Sequence, residues 1–358
     1  MAEFISGGLE EAWFTPGQRR SDAIAKRPVV AGRFESIDYY LSQRNSPALW
    51  GMGAIDRIDI SRMRRVAQWQ ARVTEGKVTG RVAGKFGWRG QVQSLALFVS
   101  SACAGELGLS QSTATQANDP ADPKYANVAL DMSDQEVSEL TQYVMSIPRP
   151  IETPVDGFTK SDLLEGEAAF GSIGCAVCHV SDLRPTSGMF SDLLLHDMGP
   201  ELQSPFPAPV GELIDVPRSS GIALQANRFI ASAVAGGYYG SPEQIDPPLA
   251  FPLAKPLKPQ FPRGEISEER LQIVESWPWD ALQREWRTPP LWGVADTAPY
   301  LHDGRAKTLK KAILWHGGEA KGSRDAFESL SIATQQKVIA FLSSLRSPMQ
   351  THSKARTH

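Results

Sequence analysis

The stretch GSIGCAVCHVSD, residues 171–182, decides how the rest of the chain is read. It places two of the three cysteines and one of the six histidines in the order Cys175, two residues, Cys178, His179. Three cysteines and six histidines scattered at random over 358 positions would produce such a group only about 4 times in 10,000. A structural zinc site needs four Cys or His ligands, and no second knuckle of matching spacing is present, so Cys103 and a distant histidine would have to complete the tetrahedron. A redox dithiol of the thioredoxin type wants a strand before the motif and a βαβ context, neither of which is legible. Covalent haem attachment accounts for every residue. The two sulfurs add across the porphyrin vinyl groups, the two-residue spacer lets them reach both, and His179 comes under the iron as proximal ligand.

The residues before the motif fit that reading. In SDLLEGEAAFGSIG, Ser161 can cap a helix, with Asp162 and Glu165 in or near its first turn. Gly171 and Gly174 would let the chain approach a haem closely. One haem uses two cysteines and leaves Cys103, which reads as a small buried hydrophobe in QSLALFVSSACAGELGL, so a disulfide framework is excluded.

Composition narrows the class further. A length of 358 residues suggests roughly two domains, and 41% hydrophobic content is enough for real cores. The net charge of -3, with 22% charged residues and no long basic or acidic block, points to neither nucleic acid nor an anionic membrane as partner. No apolar run approaches the roughly 20 residues of a membrane helix. The opening MAEFISGGLEEAWFTPGQRR has no basic n-region, apolar core or small-residue cleavage site, so the chain as given carries no signal peptide. Covalent haem is attached outside the bacterial cytoplasm. The expectation is therefore a periplasmic or exported protein whose reading frame begins upstream of Met1.

The fold class expected is mostly α, in cytochrome c-like helical domains with long irregular loops. Residues 133–146 read as a helix opened by a capping box, Ser133 with Glu136. It must stop before Pro148, and IPRPIETPVDGFTK reads as an extended linker. The expected division is an N-terminal helical region over 1–155, a haem domain over 156–346 and a disordered tail over 347–358. The proline-rich DPPLAFPLAKPLKPQFPRG interrupts the second unit as irregular surface chain. That unit ends in two helices, one starting at Thr308 and stopping at Gly317 and Gly318, the other SIATQQKVIAFLSSLR. In the first unit GRVAGKFGWRGQ fails as a phosphate loop, since Gly80 and Gly84 are too close and Phe86 stands where Ser or Thr is needed. It reads as a turn feeding the helix QVQSLALFVSSACAGEL.

Four stretches together carry a resemblance: RTPPLWGVADTAPYLHDGRAKTLKKAILWHGGEA at 287–320, FSDLLLHDMGPEL at 190–202, RNSPALWGMGAID at 44–56 and GKFGWRGQVQSLALFVSSACAGELGL at 84–109. The chain resembles the bacterial di-haem oxidoreductase family, described as thiol oxidoreductases or peroxidases and related to the di-haem cytochrome c peroxidases. The similarity runs from about residue 28 to 345 and implies two cytochrome c-like domains, each with a haem, residues 1–155 corresponding to the first. The first of the family's two haem motifs would lie upstream of RNSPALWG, and this sequence has none there. One covalent haem c is therefore expected, with any second haem supplied by a missing segment or a partner.

The sixth iron ligand separates electron transfer from chemistry at the metal. Where the peroxidase relatives have methionine in the phrase resembling APYLHDG, this chain has Leu301, which cannot bind iron. Met198 is the first candidate, as a thioether suits a high-potential electron-transfer haem. His196 is the alternative, with His302 and Tyr300 behind it. Each has a bland reading, a methionine as core filler and a histidine as a satisfied pair beside an aspartate. Arg305, at a position that resembles a family residue, is a candidate to neutralise a haem propionate or else a solvated arginine at a helix entrance. Trp315 and His316 end a helix, where core packing and a C-terminal charge partner are favoured over haem contact. Trp88 reads as ordinary packing.

The function expected is that of an oxidoreductase of the peroxidase-like family, transferring electrons through one covalent haem to a redox partner protein or a small-molecule substrate. A simple mono-haem carrier with His/Met ligation and a haemless structural remnant are the alternatives.

Overall fold

The computed structural model describes residues 29–34, 37–42, 45–116, 129–202 and 284–348. The proline-rich stretch and residues 349–358 of the expected tail lie outside them. The described part is mostly helical, with short two-stranded sheets. An antiparallel pair, β1 (Val29–Phe34) and β2 (Ile37–Ser42), comes first. Helices α1 (Met52–Asp56), α2 (Ile60–Val73), α3 (Leu95–Leu107) and α4 (Asp134–Ser146) follow.

The helix starts are set by short polar side chains. Asp59 accepts from the Ser61 amide before α2, and Ser94 accepts from the Leu97 amide before α3. The capping box of Ser133 and Glu136 opens α4 as expected, and the helix leaves through Ile147 in an extended conformation ahead of Pro148. The segment between α2 and α3 is a tight turn, with Phe86 bridged to Val92.

Helix α5 (Lys160–Ser172) carries the chain into the cysteine motif. Its cap is Thr159 and not the expected Ser161. The Thr159 hydroxyl accepts from the Asp162 amide while the Asp162 carboxylate accepts from the Thr159 amide, a reciprocal pair that Ser161, already inside the first turn, cannot make. Gly171 meets no protein neighbour where a Cβ would stand, whereas Gly166 is closely approached by another helix. A Cβ on Gly166 would overlap the Lys337 carbonyl oxygen, which lies on the helix crossing α5.

Beyond the motif, β4 (Leu195–Asp197) pairs antiparallel with β5 (Glu285–Arg287), which sets His196 opposite Trp286. Then come α6 (Leu309–Leu314), α7 (Lys321–Ser329) and α8 (Ile332–Ser344). Thr308 and Ser331 cap α6 and α8, the two helices foreseen, whereas α7 between them was not. The last described strand, β6 (Leu345–Arg346), pairs with β3 (Ile151–Glu152) inside the segment expected to be an extended linker.

Among the described residues, two apolar clusters join the helices and the chain after the cysteine motif. One joins Met52, Ile55, Met63, Phe86, Leu95 and Val99 to Leu183, Met189, Leu193, Leu194 and Trp292. Residues following the cysteine motif thus complete the core begun by α1–α4. The other gathers Phe170, Phe190, Phe327, Val338, Phe341, Leu342 and Leu345 around the α5–α8 crossing. No helix among the described residues is long and apolar enough to cross a membrane.

Candidate functional site

Between the two clusters lies a cavity of about 620 Å³ whose wall includes Cys175, Cys178 and His179 together with Trp50, Phe170, Met198, Arg287, His302, His316 and Leu342. The volume is in the range of a cofactor pocket. The motif reaches it because α5 ends at Ser172 and Gly174, at φ +90, turns the chain left-handed into a 3₁₀ turn over Cys175–Val177. The His179 amide donates to the Cys175 carbonyl at 3.0 Å, which sets both cysteines and the histidine on one turn.

The hydrogen bonding of His179 defines its chemistry. Its Nδ1 lies 2.9 Å from the Phe190 carbonyl oxygen, which can only accept, so Nδ1 carries the proton and Nε2 keeps a free lone pair. Burial pushes the pKa down to about 4, partly opposed by the Phe190 carbonyl, so the ring is neutral at physiological pH. A neutral imidazole with its tautomer fixed by a backbone carbonyl is what a metal ligand requires.

Burial works against the thiolate form of both cysteines. Burial pushes Cys175 up to about 12, with Cys178 adding to the shift, and burial raises Cys178 as well. Such thiols are poor exchange nucleophiles, which disfavours the dithiol reading. Cys103, the residue a zinc tetrahedron would need, is 3% exposed within the first apolar cluster. The groups gathered around Cys178 are instead Asp192 and His196.

His196 is 2% exposed and both its ring nitrogens are engaged. Nε2 lies 2.9 Å from Asp192 Oδ2 and Nδ1 lies 2.6 Å from Glu319 Oε2, with Cys178 Sγ 3.9 Å from the same Nδ1. Burial works to lower its pKa, but Cys178 and Asp192 outweigh burial and hold it well above the ordinary histidine value. His196 is therefore an imidazolium between two carboxylates. Asp192 Oδ2 also accepts from Gln70 Nε2 at 2.6 Å, and the same amide reaches the Val177 carbonyl at 2.7 Å, tying α2 to the cysteine loop. Gly80 makes room for this group, since a Cβ there would meet Gln70 Oε1 at 2.6 Å and His196 Cε1 at 2.7 Å.

The remaining expected residues divide. Met198 lines the cavity, as do Tyr300 and Leu301. His302 lies flat on Trp286, with ring centres 3.6 Å apart and an interplanar angle of 10°. Trp88 lines the cavity and donates from Nε1 to the Asn45 carbonyl at 2.5 Å. Arg305 is not on the cavity wall; it donates to Asp303 and to the Glu201 carbonyl and lies over the Trp315 ring at 4.8 Å. His316 lines the cavity with Nδ1 2.8 Å from the Ala312 carbonyl, and burial lowers its pKa.

Arg287 was not singled out from sequence. It is 3% exposed, donates from Nε to the Gly87 carbonyl at 2.7 Å, and has an Nη1 with no hydrogen-bond partner among the described residues. Burial lowers its pKa to about 10, which leaves it a cation at neutral pH. A buried, incompletely paired guanidinium on a cavity wall fits an anionic group such as a haem propionate.

Residues 276–345 match the family described as "Di-haem oxidoreductase, putative peroxidase". The resemblance to di-haem oxidoreductases is shown over that segment. The di-haem oxidoreductase match spans Arg287, His302, Arg305 and His316, and it ends well short of the cysteine motif in the other direction. Hydrazine synthase of Kuenenia stuttgartiensis, in a xenon-pressurized structure, is similar at 16% identity over 88% of this chain and 98% of that one, with a TM-score of 0.31. No curated protein matches the chain.

Proposed function

We propose that this chain is a haem c redox protein that passes single electrons through one covalent haem. The observation that carries the reading is the His179 imidazole, neutral, held at Nδ1 by the Phe190 carbonyl with Nε2 left free, on the wall of a cofactor-sized cavity that Cys175 and Cys178 also line. When bound, haem supplies a one-electron iron couple whose potential is tuned by axial ligands and burial. Cys175 and Cys178 would tether it, His179 would be its proximal ligand, and Arg287 would neutralise a propionate.

The aromatic and aliphatic wall would exclude water, and the low dielectric there would strengthen every charge interaction with the cofactor. The buried His196 pair with Asp192 and Glu319 would fix the strand behind Cys178 without binding metal, since neither ring nitrogen has a lone pair to spare. The oxidoreductase family matched at 276–345 supports a redox role of the peroxidase type at the level of reaction class, with a soluble redox protein or small molecule as partner. An exported location follows from the attachment chemistry.

The test is co-expression of an exported form with a haem c maturation system. A covalently haem-stained band is expected, abolished by Cys175→Ala with Cys178→Ala. A colourless protein that carries zinc by elemental analysis would overturn the reading.

A further inference from the structure

We propose that His316 is the second axial ligand of the iron whose first is His179, an inference that rests on the haem reading above. The two rings have centres 6.4 Å apart at an interplanar angle of 50°. Imidazoles on opposite sides of one metal, each bound at about 2.0–2.1 Å, have ring centres roughly 6.3 Å apart. Ordinary edge-to-face pairs also fall within about 4.5–7 Å, so the spacing gains its meaning from the hydrogen bonding.

Both rings are prepared in the same way. Nδ1 of His179 bonds the Phe190 carbonyl at 2.9 Å and Nδ1 of His316 bonds the Ala312 carbonyl at 2.8 Å, so each keeps its lone pair on Nε2. Neither Nε2 has a hydrogen-bond partner among the described residues, and both residues line the one cavity. The ring of His316 is placed firmly. It follows α6 directly, and the next turn is pressed on β4, where a Cβ on Gly318 would overlap the Asp197 carbonyl oxygen.

The competitors are less well prepared. His196 has both nitrogens on carboxylates, and Leu301 has no donor atom. Tyr300 would have to bind as a phenolate, which burial disfavours. His302 lies flat on Trp286 with Nε2 turned to Asp303 at 3.8 Å. Met198 shares the wall and remains the thioether alternative. Two imidazoles close the iron to peroxide and make it an electron-transfer centre, with a lower potential than a His/Met pair would give.

The experiment uses the exported holoprotein. The ferric form should be low spin without a sulfur-to-iron charge-transfer band, and Met198→Leu should leave that spectrum unchanged. His316→Ala should turn it high spin, with added imidazole restoring the low-spin form and cyanide binding at least about tenfold tighter, the equivalent of some 1.4 kcal/mol. Should that variant not fold, His316→Met should introduce the sulfur band that the parent lacks. A haem-stained parent that is high spin, or whose sulfur band is lost in Met198→Leu, overturns the His316 ligand while leaving the haem reading standing. A parent with no haem stain overturns both.

Discussion

Nε2 of His196 lies 2.9 Å from Oδ2 of Asp192, and both side chains are almost completely buried. With Glu319 on the other ring nitrogen, the cluster is a cation between two anions in a low-dielectric wall. Such groups are costly to separate, because removing one partner leaves an uncompensated buried charge.

The first prediction follows from that pair. A histidine whose folded pKa is raised contributes stability that is fully present below its unfolded value of about 6.5 and lost as pH rises through the folded pKa. Urea unfolding should therefore show stability falling on the alkaline side, and His196→Gln should flatten that fall. Asp192→Asn should cost about 3–5 kcal/mol near neutral pH.

The α5–α8 crossing has no room at Gly166. Gly166→Ala forces a methyl group against the Lys337 carbonyl, and the helices must separate or tilt. The expected loss is about 1–3 kcal/mol, read as a lower denaturation midpoint with an unchanged denaturant slope.

Lys337 on the same crossing binds two carboxylates of α5, Asp162 at 2.8 Å and Glu165. Hydrogen bonding from Lys337, and at Asp162 from Thr159 as well, holds both carboxyls below their ordinary values. Their contribution is present above the unfolded carboxylate range and is lost as pH falls through the folded pKa values. Lys337→Met should move the acid unfolding midpoint, followed by far-ultraviolet circular dichroism, to higher pH. Solvent screening keeps the effect small.

Arg287 presents a cation to the cavity from a buried position. With the proposed haem bound, removing it would favour the oxidised, more positive iron. Arg287→Met should lower the midpoint potential of the haem-loaded protein by some tens of millivolts, given about 59 mV per tenfold change for one electron. Redox titration checks this, and an unchanged potential would remove Arg287 from the propionate site. Arg305→Met should leave the potential nearly unchanged, because that guanidinium is already paired with Asp303 and the Glu201 carbonyl.

Local chemistry was legible in the sequence. Ser133 with Glu136, Pro148 after α4, and the helices opened by Thr308 and Ser331 are short-range signals, each decided within a few residues, and the structure reproduces them. The Cys175, Cys178 and His179 motif is of the same kind, since its spacing alone puts three functional groups on one turn. Helix α7 was missed because the two glycines at 317 and 318 read as a terminus, and a 3₁₀ turn restarts the chain there.

Only the tertiary structure decided which distant residues face that turn. Asp192 and Glu319 reach His196 across 4 and 123 positions of chain, and Arg305 is consumed by Asp303 while Arg287, unremarked in RTPPLWG, faces the cavity. His316 comes to His179 across 137 positions because the α5–α8 crossing and the β4 contact with Gly318 close the loop between them. The sequence by itself determined that two cysteines and a histidine share one turn, because that placement follows from their spacing alone. The opposite wall was left to the fold, because a side chain's charge, tautomer and orientation are set by burial and by partners that no local pattern encodes.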